Sequence, residues 1–462
     1  MRIKSFSILI FFTFVMLFSF SDLYSEDAPA KGFKITKDTV LNVGIEINPE
    51  FESNITKASE DSVETDTGVD DGKEKKTEII SDMILHYSPS LRIKLDDSSK
   101  TLGFSVLFDY NHYLGLEDKK TSKKLSELDL RADLLGEFNK DGLVIFDFKD
   151  SLSRSSTPDG QELSGKNRNL LNSFAVGLAF KNVEDILYGK IKLGVDVNYL
   201  EQSKDNDTYK DYNYYSLLAD FFGRWKFLPK TMAFASIAVR YQDYYESQIR
   251  DAARAVPLNA FVGVMGQISQ HFSSKLAAGY SVNIGESVQH DYNANAEIVF
   301  KYNDTGAVLG YLRSMRPSAY YRYNASHKVY FNFKQKFAKY FLAAINFNYS
   351  YITYGRNIFY EESDDYKKQD DGSFQMADND AVTYTLPKGK RKDHYIVFTP
   401  SLAYSILPWL GLKLNYTLEY KDTDYFQTKT TKYGDSKEFT NTKTTHYDYI
   451  DHRVMLSIVL DY

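Results

Sequence analysis

The chain has 462 residues, 15% aromatic and 26% charged, with 37 Tyr and 32 Phe against 10 Pro and no Cys. Such aromatic content with so little proline excludes a disordered chain. The charge content excludes a bundle of apolar membrane helices, and the missing cysteine excludes disulfides, thiolate metal sites and a thiol nucleophile. A formal net charge of -6 leaves no basic footprint for nucleic acid.

Residues 1–25 open with Arg2 and Lys4, continue as the apolar run Ile8 to Phe20 and offer small residues at Ser19, Ser21 and Ser25. This is the layout of a cleaved signal peptide, too short in its apolar core for a spanning helix. A lipid-modified N-terminus would need a cysteine. Residues 26–38 read as a short periplasmic segment. No second apolar stretch of spanning length follows, so membrane insertion has to use strands.

From residue 39 onward the pattern is a period of two, which no helix can use. Leu41, Val43, Ile45 and Ile47 alternate with Asn42, Gly44, Glu46 and Asn48, and the rhythm returns down the chain to Val454, Leu456, Ile458, Leu460 and Tyr462. We count about 18 strands (range 16–20), near 40–48, 83–95, 101–113, 127–138, 142–152, 172–181, 187–200, 212–228, 231–246, 257–270, 275–287, 291–302, 305–315, 319–336, 340–353, 392–407, 410–425 and 446–462.

Soluble sheets alternate too, so the connections decide. After odd strands they are mostly long: 55–78, 114–126, 153–171, 201–211, 354–391 and 426–445. After even strands they are tight, as at Pro229-Lys230, Asn303-Asp304 and Pro408-Trp409. Alternating long and short connections predict an all-β, transmembrane, up-and-down antiparallel barrel with its long loops outside and both termini in the periplasm. Closure follows because hydrocarbon leaves no partner for an open sheet edge. Tyr110, Tyr113, Tyr199, Tyr241, Tyr349 and Tyr351 sit where aromatic girdles belong. His327 falls on the apolar register, for which we expect a register-shifting bulge. The prolines of Ser88-Pro89-Ser90-Leu91 and Thr399-Pro400-Ser401-Leu402 are expected at strand starts or bulges.

These two near-copies, the segment Phe146 to Arg154 leading towards Pro158, and the Leu410 to Tyr416 strand resemble the outer-membrane β-barrel porins associated with exopolysaccharide export. The resemblance implies an exported-polymer channel, working alone or with a periplasmic export partner. The last strand, Val454, Leu456, Ile458, Leu460 and Tyr462, is similar to the signal read by the barrel assembly machinery, which implies a Gram-negative-type outer membrane with its lipid and lipopolysaccharide as surroundings.

About 18 strands leave room for water inside. The polar register puts Arg92, Lys94, Asp129, Arg131, Asp133, Glu137, Lys190, Lys192, Asp196, Asp220, Arg224, Lys226, Asn293, Asn295, Glu297, Arg322, Lys328, Lys334, Lys336, Lys413 and Glu419 towards the lumen. Both signs are interspersed along the chain, so no single-sign ring is expected. The long loops read as acidic and solvated: Glu60, Asp61, Asp66, Asp70 and Asp71 in the first, Glu361, Glu362, Asp364, Asp365, Asp370, Asp371, Asp378 and Asp380 in the largest. Neither cluster has the spacing of an EF-hand. The eight histidines show no HExxH spacing, and no G-x-S-x-G elbow accompanies them. No catalytic residue, metal or cofactor is therefore assigned, and the function expected is a channel for polar solutes or polysaccharide. The alternative is a closed barrel acting as adhesin, receptor or envelope anchor.

Overall fold

The computed structural model describes residues 32–67, 74–155, 168–201, 212–247, 250–318, 321, 323–338, 340–357, 366–369, 373–376, 382–387, 390–433 and 439–461. Residues 1–31, Asp70, Asp71, Pro158, Arg322, Tyr462 and all the acidic residues named above for the largest connection lie outside them.

Eighteen antiparallel strands form one closed up-and-down barrel. They are β1 Thr39–Glu52, β2 Asp82–Asp96, β3 Lys100–Tyr113, β4 Glu127–Phe138, β5 Val144–Ser155, β6 Asn169–Lys181, β7 Leu187–Leu200, β8 Tyr214–Leu228 and β9 Thr231–Asp243. There follow β10 Val256–Gln267, β11 Phe272–Ile284, β12 Gln289–Tyr302, β13 Thr305–Arg316, β14 Asn324–Phe337, β15 Phe341–Tyr354, β16 Lys392–Leu407, β17 Leu410–Thr423 and β18 Tyr449–Asp461. Each pairs with its neighbours in sequence, and β1 closes the ring on β18 from Gly44↔Asp461 to Glu52↔Arg453. All 18 expected strands are present; β1 runs four residues further than read, while β14 starts at 324 and β18 at 449.

The prolines correct the expectation of bulges. In the ladders of β2 with β3, β16 with β17 and β1 with β18, pairs are missing at Ser88-Pro89, Thr399-Pro400 and Asn48-Pro49, but the register is unchanged on either side. Proline lacks the donor for one neighbour only, so a single ladder gap absorbs it in mid-strand. In two of the gaps a side-chain bond spans the strands instead: Ser88 Oγ donates to Asp109 at 2.7 Å, and Thr399 Oγ1 meets Thr417 Oγ1 at 3.3 Å. The paired Ser/Thr-Pro motifs are thus one local solution used twice. His327 needs no bulge either: β13 and β14 run in register from Thr305↔Gln335 to Arg316↔Asn324.

The largest departure lies in the long connections. Segments 63–66 and 74–76 after β1, 366–368, 374–376 and 382–385 after β15, and 426–433 and 439–446 after β17 form a second antiparallel sheet of seven strands. The hairpin Phe426–Tyr433/Phe439–His446 is its centre. It pairs with 382–385 on one side and 63–66 on the other. Two short helices, α1 Lys119–Leu125 and α2 Arg250–Ala253, occupy other long connections. Asp118 caps α1 by accepting from the backbone N–H groups of Lys120 and Thr121.

Candidate functional site: a charged wall and two latches at one mouth

Each strand presents one apolar and one polar register. The apolar one carries Ile45, Phe104, Leu134, Phe174, Leu193, Leu217, Ile237, Val262, Leu276, Leu309 and Leu456, all large and all more than 36% exposed. The polar one carries smaller side chains that are nevertheless buried: Ser88, Asp196, Ser216, Ser281, Asn293 and Asn295. Side chains converge on the concave face of a closed sheet and splay apart on the convex face, so the polar register is the inner one.

Cross-strand pairing places Arg92, Lys94, Asp129, Arg131, Asp133, Glu137, Lys190, Lys192, Asp196, Asp220, Arg224 and Lys226 on this register, together with Asn293, Asn295, Glu297, Lys328, Lys334, Lys336, Lys413 and Glu419. The signs are unevenly shared out in space: Arg92, Lys94 and Arg131 stand among the carboxylates of β2 and β4, where Lys94 and Arg131 pair with Asp96 and Asp133 at 2.6 and 2.8 Å, but acids outnumber them. On β1–β4 the register holds ten carboxylates, among them Glu46, Glu50, Glu52, Asp109, Asp129, Asp133 and Glu137. On β13–β15 it holds Arg316, Lys328, Lys334 and Lys336 and no carboxylate. In a ring of 18, β13 stands nine strands from β4, directly across. Between these sectors the charges pair locally: Lys190 with Asp147 at 2.7 Å and Arg240 with Asp196 at 2.9 Å. In the tight turn after β6, Asp185 accepts from Lys226 and Arg224 at 2.5 and 2.8 Å. Burial works to raise its pKa, but these cations outweigh it and hold the carboxyl below its usual range.

At the long-connection end the wall carries two buried ionic clusters that sequence reading missed, having counted only Glu419 among the wall charges. In the first, Lys57 ends the left-handed turn after β1 (φ 54°). Its ammonium meets Glu52 at 3.0 Å, Glu419 at 3.7 Å and Asp451. Arg453 reaches Glu419 at 2.7 Å and Asp451 at 3.2 Å. Tyr395 and Tyr449 both donate to Glu419 Oε1 at 2.6 Å. The backbone N–H of Asn54 donates to Asp451 at 3.1 Å. In the second, Arg391 forks onto Asp393 at 2.9 and 2.7 Å. It also stacks over Tyr354, Tyr425 and Tyr447 at 4.6, 4.9 and 5.5 Å. Lys421 stands 3.7 Å from Asp393, and Thr423 donates to it at 2.6 Å.

The convex face carries a repeated Tyr–His motif at the same end. Tyr280 OH meets His290 Nδ1 at 2.7 Å, Tyr311 meets His327 at 2.9 Å, Tyr349 meets His394 at 2.9 Å and Tyr416 meets His452 at 2.8 Å. In each case the Tyr is on the first strand of a hairpin, the His is on the second, and the two are diagonal neighbours on the apolar register. Among these histidines the sequence singles out only His327, by its place on the apolar register. The repeat is invisible there because the intervening connections range from four residues to 37. A ring with an apolar body and a polar tip suits a water–hydrocarbon boundary.

No family model and no curated protein matches the chain. Among solved structures it is similar to the FrpB iron transporter from Neisseria meningitidis (9% identity, TM-score 0.43, covering 91% of this chain and 81% of that one). It is likewise similar to the siderophore receptor PirA from Pseudomonas aeruginosa (7%, 0.41, 94% and 81%) and to the outer membrane protein OpdK from the same organism (8%, 0.41, 91% and 99%).

Proposed function

We propose that the barrel spans the outer membrane of a Gram-negative-type envelope and conducts polar solutes through a water-filled lumen. The observation that carries this reading is the two-faced closed wall: an exposed apolar convex face that water would not tolerate at this extent, around a concave face dense in charge. The described residues contain no helix long and apolar enough to cross a membrane, which leaves a strand-built span untouched. In this reading the Tyr–His band marks the outer boundary and the tight turns lie in the periplasm. The Val454 to Leu460 strand serves as the assembly signal. The carboxylates of β1–β4 and the lysines of β14 set a transverse field across the lumen, which favours solutes that are dipolar or hydroxyl-rich over bare ions of one sign. Sugars, including polysaccharide delivered by a periplasmic export partner, belong to that class.

The test is planar-bilayer conductance of refolded, heat-modifiable protein. Stable channel-sized steps are expected, and a folded barrel that stays silent would refute the open channel. Silence would instead favour a receptor or adhesin, a reading supported by the seven-stranded sheet built from three long connections. The membrane assignment has its own check. Leu193→Arg on the convex face is expected to cost about 2–4 kcal/mol in lipid, whereas Lys192→Leu on the concave face stays within about 1 kcal/mol. Urea unfolding from vesicles, followed by the fluorescence of Trp225 and Trp409, separates the two, and equal effects would contradict the assignment of faces.

A further inference from the structure

Away from the strand ends, the convex face carries one carboxylate among the described residues. Asp150 lies in β5, six residues from Val144 and five from Ser155. Its cross-strand partners are Leu134 on β4 and Phe174 on β6, and Phe148 and Leu152 flank it on the same register. Asn172, diagonal to it on β6, donates its side-chain N–H to Asp150 at 3.0 Å. The other charges of this register stand at strand ends: Arg154, Asp243, Arg313, Lys392 and Asp422 within four residues of the long-connection end, and Lys100 at the tight-turn end of β3.

A carboxylate facing hydrocarbon at this depth is costly, and one amide N–H leaves most of its acceptor sites unmet. In a bilayer, polar side chains so placed act as glue between chains. The pair is self-complementary. Rotated about a two-fold axis through the β5–β6 face, Asn172 of each copy offers its second N–H to Asp150 of the other, with Leu134, Phe148, Leu152 and Phe174 packing around them. An isologous contact requires that a patch match itself, and this patch supplies donor and acceptor in equal number. Building on the membrane reading above, we propose that the β5–β6 face is a homodimer interface, centred on Asp150 and Asn172.

The absence of cysteine makes the test direct. Single cysteines replace Leu152 or Phe174, near the axis, or Val329 on the convex face of β14 as a remote control. Each variant is first shown to be heat-modifiable and vesicle-inserted, so that failure of the membrane reading is detected separately. Oxidation in vesicles is expected to give a disulfide-linked pair at Leu152→Cys or Phe174→Cys and not at Val329→Cys. Native mass spectrometry is expected to show two copies for the wild type and one for the folded double variant Asp150→Leu/Asn172→Leu. A single-copy mass for the wild type, a two-copy mass that survives the double variant, or cross-linking no stronger than at the control would overturn the proposal.

Discussion

Replacing Lys57 with methionine is expected to undock the first long connection from the barrel mouth. Methionine keeps the length and loses the charge, which leaves Glu52, Glu419 and Asp451 buried around Arg453 alone. Removing one partner of a buried ionic cluster costs about 3–5 kcal/mol, because the remaining charges lose compensation that water cannot supply. That cost need not unfold the barrel: the 18 ladders do not depend on Lys57. Detaching residues 53–81 relieves it, since the Asp451 carboxylate then regains water and the left-handed backbone at Lys57 (φ 54°) relaxes. The expected readout is a Lys57→Met protein that keeps its heat-modifiable migration and gains protease cleavage at Lys75 and Lys76. In bilayers it shows higher or noisier conductance. Unchanged protection of these lysines would show that the cluster does not hold the connection.

The barrel was legible in the sequence for a physical reason. A closed sheet with one apolar and one polar face must alternate strictly, and a meander must turn tightly at one end, so Leu41 to Asn48 or Ile191 to Tyr199 display their two faces in order. The first cluster at the mouth was not legible, because its contacts join residues close to 400 positions apart. Lys57 and Asp451 look unremarkable alone, and nothing in either segment announces the other. The loop sheet did leave a trace. Thr428, Thr430, Thr431, Thr440, Thr442 and Thr444 form a β-branched pattern on either side of Gly434, which is a hairpin signature. The charge sectors are a third case: alternating signs along the chain say nothing about which strands stand opposite one another once the ring closes.

The second latch is expected to control the same mouth from the other side. Arg391→Met removes a planar fork that both binds Asp393 and stacks among Tyr354, Tyr425 and Tyr447, and leaves Asp393 to Lys421. The loss is again about 3–5 kcal/mol. Arg391→Lys keeps the charge but neither the fork nor the stacking, so it is expected to fall between methionine and wild type. The arrangement of the loop sheet dictates how the two latches combine. The Phe426–His446 hairpin is flanked by 382–385, whose connection is rooted at Arg391, and by 63–66, whose connection is rooted at Lys57. Either single variant frees one edge of the hairpin and leaves the other paired, so cleavage at Lys429, Lys432 and Lys443 is expected to rise modestly. The double variant frees both edges, and a two-stranded hairpin is marginal alone. Its exposure to protease and its gain in conductance are therefore expected to exceed the sum of the single effects. Simple additivity would mean that the two connections move independently and that the sheet between them transmits nothing.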